Sequence, residues 1–189
     1  MVEPVDAVIR RAAALGAVVA ILLTAFVGAA PAAKRKGQVH EPPYKQGPSG
    51  GDEFNYHSVD PQAGEVWVGR LFPGVPPVVG CAPEPAAGYA MLRIPHKVDR
   101  AFDKVTVAYD AQLEPYAWMT AGVRAADGEW LGVSKLQGPH FGEGKLKVNL
   151  HHRPQPGSTV KIEFGIQLGD ACPQFGFGHA SFPSVTVGG

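Results

Sequence analysis

Residues 160–168 read VKIEFGIQL. Val160, Ile162, Phe164, Ile166 and Leu168 alternate with Lys161, Glu163, Gly165 and Gln167. A period of two sends successive side chains to opposite faces, so the stretch reads as a strand with one apolar and one mixed face. A helix would spread the same five apolar residues around its axis. The texture recurs upstream. Ala90, Leu92 and Ile94 alternate with Tyr89, Met91 and Arg93, and Val105, Val107 and Tyr109 with Thr106, Ala108 and Asp110. Ala117, Met119, Ala121 and Val123 alternate with Tyr116, Trp118, Thr120 and Arg124, and Leu146, Val148 and Leu150 with Lys145, Lys147 and Asn149. Val66 and Val68, a short strand at 130–133, another at Val78–Cys81, and Val185 with Val187 bring the expectation to about eight or nine strands. Turns are expected at Asp127-Gly128, Gly142-Glu143-Gly144 and Pro156-Gly157.

One apolar face per strand, with no intervening helices, implies antiparallel sheets packed face to face. The expected fold is all-β, a two-sheet sandwich or jelly roll over residues 64–189, preceded by an N-terminal hydrophobic helix. Composition agrees. The chain has 189 residues, 24 of them glycine and 18 proline, which suits short strands joined by turns. Seventeen basic side chains balance seventeen acidic ones. That balance argues against a nucleic-acid binder working through a phosphate-neutralising face.

The N-terminus reads as an export signal. Arg10 and Arg11 precede 22 uncharged residues, Ala12 to Ala33, whose densest part is LGAVVAILLTAFVG (15–28). Small residues follow in GAAPAA (28–33). Residues 1–33 thus read as a signal peptide or a signal anchor. As a helix, Ala12 to Ala33 would extend roughly 33 Å, enough to reach across a bilayer if uncleaved. Glu3, Asp6 and the following Lys34-Arg35-Lys36 are atypical for a cleaved signal. Residues 34–63, rich in proline, glycine and mixed charge, are expected to be a flexible linker. The two cysteines, Cys81 and Cys172, suit a disulfide in an exported protein. Such a bridge would contribute about 4 kcal/mol in the chain-entropy picture. The expected location is secreted or membrane-anchored, with the C-terminal domain extracytoplasmic.

Five segments resemble, in order and texture, the galactose-binding-like jelly roll of many carbohydrate-binding modules. They are KVTVAYDA (104–111), WLGVSKLQG (130–138), GKLKVNL (144–150), VKIEFGIQL (160–168) and ASFPSVTV (180–187). Pro183-Ser184 stands where that family often has an acidic pair. The resemblance implies an extracellular module that binds a glycan or another cell-surface ligand.

The alternation names the side chains that turn from the core. Tyr116, Trp118, Thr120 and Arg124 share one strand's outer face; Tyr89 and Arg93, Lys147 and Asn149, and Glu163 and Gln167 lie on three others. An aromatic platform bordered by hydrogen-bonding groups suits a sugar, whose C–H face packs on a ring while its hydroxyls take directed bonds. The candidate ligand-binding residues are Tyr116, Trp118, Thr120, Arg124, Asn149 and Gln167. An ordinary solvated face is the competing reading. Among the seven histidines, His151-His152 point to opposite faces, and His140 and His179 sit in glycine-rich stretches. No HxH or HExxH spacing exists, so no metal or cofactor is expected. Ser134, Ser158, Ser181 and Ser184 lack the GxSxG elbow. Glu129, Glu143, Glu163 and Asp170 show no spacing that selects a catalytic pair. The leading expectation is a non-catalytic extracytoplasmic module that binds a cell-surface or extracellular ligand, with a glycan or an envelope protein as the expected partners. A structural or protein-interaction domain is the alternative, and a polysaccharide or cell-wall hydrolase ranks below both.

Overall fold

The computed structural model describes residues 36–51, 55–71, 88–168 and 175–188. They form eleven strands: β1 (Gln38–His40), β2 (Lys45–Gly50), β3 (Asn55–Asp60), β4 (Glu65–Leu71), β5 (Tyr89–Lys97), β6 (Lys104–Leu113), β7 (Ala117–Arg124), β8 (Trp130–Gln137), β9 (His140–Asn149), β10 (Thr159–Leu168) and β11 (Phe175–Val187). One sheet runs β3-β4-β11-β6-β9, with β1 also pairing β11; the second runs β2-β5-β10-β7-β8. Every pairing is antiparallel. The expected all-β sandwich is the observed one.

The core lies where the alternation put it. Val160, Ile162, Phe164, Ile166 and Leu168 of β10 are all buried, against Val105, Val107 and Val185 of the first sheet. Phe164 packs edge-on to Tyr44 at 5.1 Å and to Phe182 at 5.0 Å between ring centroids. The Tyr44 hydroxyl donates to the Phe182 carbonyl at 3.0 Å, tying the segment before β2 to β11.

Residues 38–60 correct the linker expectation, since they contribute β1, β2 and β3 to the two sheets. These strands contain few aliphatic residues because they pair through backbone at sheet margins, β2 on β5 and β3 on β4. Tyr44 supplies the buried ring. The sandwich unit accordingly runs from Lys36.

The expected turn at Gly142-Glu143-Gly144 is also corrected. All three residues lie inside β9 and pair with Ala111, Asp110 and Tyr109 of β6. Glycine is needed at 144 because a Cβ there would stand 2.3 Å from the Tyr109 hydroxyl. Asp127-Gly128 is a turn as expected, with Gly128 at φ +98° and the Glu129 N–H donating to Asp127 Oδ1.

The expected disulfide and membrane-spanning helix drop out of the account of this fold. No disulfide or cysteine occurs among the described residues, and Cys81 and Cys172 lie outside them. No helix among the described residues is long and apolar enough to cross a membrane. The segment 12–33 and the expected strand at Val78–Cys81 also lie outside. Closure of the two sheets is carried by the apolar core and the Tyr44–Phe182 hydrogen bond.

Candidate functional site

β7 has two faces. Ala117, Met119, Ala121 and Val123 point into the core, and Trp118, Thr120, Gly122 and Arg124 point out. Strand register extends that outer face across the second sheet. Trp118 stands opposite Gln167 of β10 and Gln137 of β8, and Gln167 stands opposite Tyr89 of β5. One row therefore reads Tyr89, Gln167, Trp118, Gln137. The next reads Met91, Gly165, Thr120, Lys135. A third places Arg93 beside Glu163, with Gly122 and Val133 beyond.

Thus the indole of Trp118 lies between two carboxamides, each able both to donate and to accept hydrogen bonds. The Lys135 ammonium stands 5.4 Å from the Trp118 ring centroid, while Lys135 itself lies opposite Thr120. Thr120 is only 8% exposed. Its Oγ1 and the Trp118 Nε1 are buried without a hydrogen-bond partner. Such groups are costly unless something satisfies them. Lys135 is exposed and has a flexible four-carbon stem, so its rotation would open this patch.

Farther along the same face, Glu163 is 3% exposed. Arg93 donates from Nε and Nη2 to Glu163 Oε1 at 2.9 and 2.6 Å. Arg124 Nε stands 3.5 Å from Glu163 Oε2. The Arg124 guanidinium also covers the Trp130 ring at 4.0 Å and donates from Nη1 to the Gly128 carbonyl. Trp130 lies over Gly122, where a Cβ would meet the indole at 2.5 Å.

Of the six candidate residues, Trp118, Thr120, Arg124 and Gln167 share this face. Tyr116 is exposed in the turn before β7, at the Trp118 end. Asn149 lies apart, on β9 of the other sheet opposite Lys104. Lys135, Gln137 and Trp130 were missed. Their strand has exposed Val133 outside and Gly132 inside, so its apolar alternation is too weak to mark a face.

A second feature also went unread. Tyr56, Trp67 and Phe177 form a strip on the outer face of the first sheet, with ring centroids 4.9 and 5.4 Å apart. These rings pack on one another. None of the buried polar atoms without a partner belongs to the strip, so its rings leave no comparable demand for a ligand. Next to it, register sets Asp60, Glu65, Ser181, Asp110 and Glu143 in one row. Among the described residues, no group of three or more histidines, cysteines or carboxylates is placed to hold a metal ion.

No protein-family model matches the chain, and no curated protein matches it. Solved structures do. One is a family 6 carbohydrate-binding module, 8% identical, with TM-score 0.42, covering 81% of this chain and 94% of that one. Another is CsCBM6-3 from Clostridium stercorarium in complex with cellobiose, 10% identical, with TM-score 0.37, covering 82% and 89%. A third is the carbohydrate-binding module CBM36 in complex with calcium and xylotriose, 10% identical, with TM-score 0.40, covering 79% and 98%. The likeness is one of architecture. At this identity and these TM-scores it says nothing of any residue of the site.

Proposed function

We propose that this chain is a non-catalytic, extracytoplasmic binding module that holds a glycan on the outer face of the β2-β5-β10-β7-β8 sheet. The observation that carries the reading is the Trp118 row. An indole stands between Gln167 and Gln137, with unpartnered polar atoms at Trp118 Nε1 and Thr120 Oγ1. A sugar ring needs an apolar plate for its C–H face and amides for its hydroxyls, and this row offers both. The basic flank, apolar run and small-residue exit of residues 10–33 support export.

Affinity electrophoresis through gels containing soluble glycans tests the reading. Retardation by at least one glycan is expected, with Trp118→Ala and Gln167→Ala each weakening it about tenfold, the scale of one stacking or directed contact. No retardation on any glycan, or retardation indifferent to Trp118→Ala in a folded protein, would count against it.

The Tyr56–Trp67–Phe177 strip favours a second reading, a protein-interaction domain of the envelope. Phe141, 68% exposed, lies on the same sheet face, in the row of Trp67 and His179. Loss of a partner on Trp67→Ala, with Trp118→Ala silent, would favour it.

A further inference from the structure

The chain is neutral overall, yet the outer face of the second sheet is strongly cationic. Alternation and register turn Lys45, Arg93, Lys97, Arg124, Lys135 and Lys161 outward on the second sheet, with Glu163 the one carboxylate at an outward strand position there among the described residues. The outer face of the other sheet is mixed: Asp60, Glu65, Asp110 and Glu143 stand in one row, with Lys104, Lys145 and Lys147 farther along β6 and β9.

Two placements on the cationic face oppose stability. Lys45 stands directly opposite Arg93, and Lys161 directly opposite Arg124. Like charges facing each other across antiparallel strands are destabilising. Glu163 offsets part of this, but one carboxylate is shared between two guanidiniums. The remaining cations, Lys45, Lys97, Lys135 and Lys161, have no acid among the outward strand positions of this sheet to pair with. An anion bridging these pairs would turn the repulsion into attraction.

From this charge complementarity we infer that the ligand of this face is an anionic polysaccharide bearing carboxylate or phosphate groups. The inference rests on the glycan reading of the same face. The C–H face of one sugar ring of the polymer packs at Trp118, and the acidic groups of neighbouring units run toward Lys161 and Arg124. Trp118 and Arg124 lie six residues apart on one strand, roughly 20 Å, so a ligand touching both spans several sugar units. Arginine takes carboxylate or phosphate oxygens in pairs, and the lysines act as point charges. A single-stranded nucleic acid fits less well. It needs successive open rings for its bases. Here Trp130 is covered by Arg124, and Tyr89 is laid against Gly50.

The test uses polygalacturonate, alginate and a glycerol-phosphate polymer, with fully methyl-esterified polygalacturonate as the uncharged control and oligo(dT) as the nucleic-acid control. Retention of a carboxylate or phosphate polymer is expected to be at least about tenfold tighter than that of the methyl ester and to weaken as salt rises. The acid class retained separates uronate from phosphate. Lys45→Glu/Lys161→Glu is expected to erase the difference between acid and ester, and the milder Lys161→Gln to reduce it. Equal, Trp118-dependent retention of acid and ester would overturn the anionic inference and leave the glycan reading standing. No retention of any polymer would overturn both. Oligo(dT) held as tightly as the best polysaccharide would replace the inference with nucleic-acid binding.

Discussion

Arg93 gives two hydrogens to a single oxygen of Glu163, from Nε at 2.9 Å and Nη2 at 2.6 Å. The other carboxylate oxygen is left for Arg124 at 3.5 Å. Glu163→Gln removes the charge that holds both cations. Both arginine side chains are about a third exposed, so solvent softens the loss; the expected destabilisation is about 1–3 kcal/mol. Urea denaturation reads it directly. The same change raises the positive charge of the face, so retention on a carboxylate or phosphate polymer should rise as stability falls. A variant that lost both would show that Glu163 serves the fold alone.

His40 and His96 define the response to acid. Their rings share a hydrogen bond at 3.1 Å, linking the end of β1 to β5. Burial holds both below the ordinary value of 6.5; for His96 the neighbouring His40 adds to this, and Asp99 opposes it. The unfolded chain therefore takes up protons first as pH falls. Stability is whole above about pH 6.5 and declines as pH drops from there toward the folded values. Urea midpoints between pH 5 and 8 should show this slope, and His96→Phe should flatten it. A slope unchanged in that variant would assign the acid sensitivity to other groups.

A chain beginning at residue 64 lacks β1, β2 and β3, together with Tyr44. It leaves the outer edges of β4 and β5 unpaired and Phe164 with Phe182 but without Tyr44 against its ring. Such a chain is expected not to fold, whereas one beginning at residue 36 should give the sheet signature of the parent by circular dichroism. Cooperative melting of the shorter chain would show that the first three strands are dispensable.

At Gly165, β10 leaves no room for a side chain against β5. A Cβ there would sit 2.1 Å from the Ala90 carbonyl oxygen and 2.7 Å from the Met91 Cα. Backbone cannot swing aside as a side chain does. Gly165→Ala is therefore expected to cost about 1–3 kcal/mol, read as a lowered melting temperature. An unshifted melting temperature would mean that the two strands part without penalty.

The legible parts of this chain were those where apolar residues alternate over many positions. β10, with five buried residues on one face, and β5, β6 and β7 were all readable in this way. β2 reads KQGPSG and has no aliphatic residue, because an edge strand pairs through its backbone and need not carry a core face. Alternation also tells which face a side chain takes but not which sheet it joins. That is why Trp118 and Gln167 were rightly grouped while Asn149 fell on the opposite sheet. The Tyr56–Trp67–Phe177 strip depends on β4 pairing with both β3 and β11, a register that no local pattern encodes.

β11 lies between β4 and β6 and also takes β1. Its partners are made long before it in the chain, so no early stretch has a finished sheet to settle into. Assembly is a search across most of the polypeptide, with the entropy of large closing loops spent before the ladders form. The protein should gain its structure on the millisecond-to-second scale typical of β-sandwiches, and largely in one step. Slow acquisition is thus built into the position of that one strand.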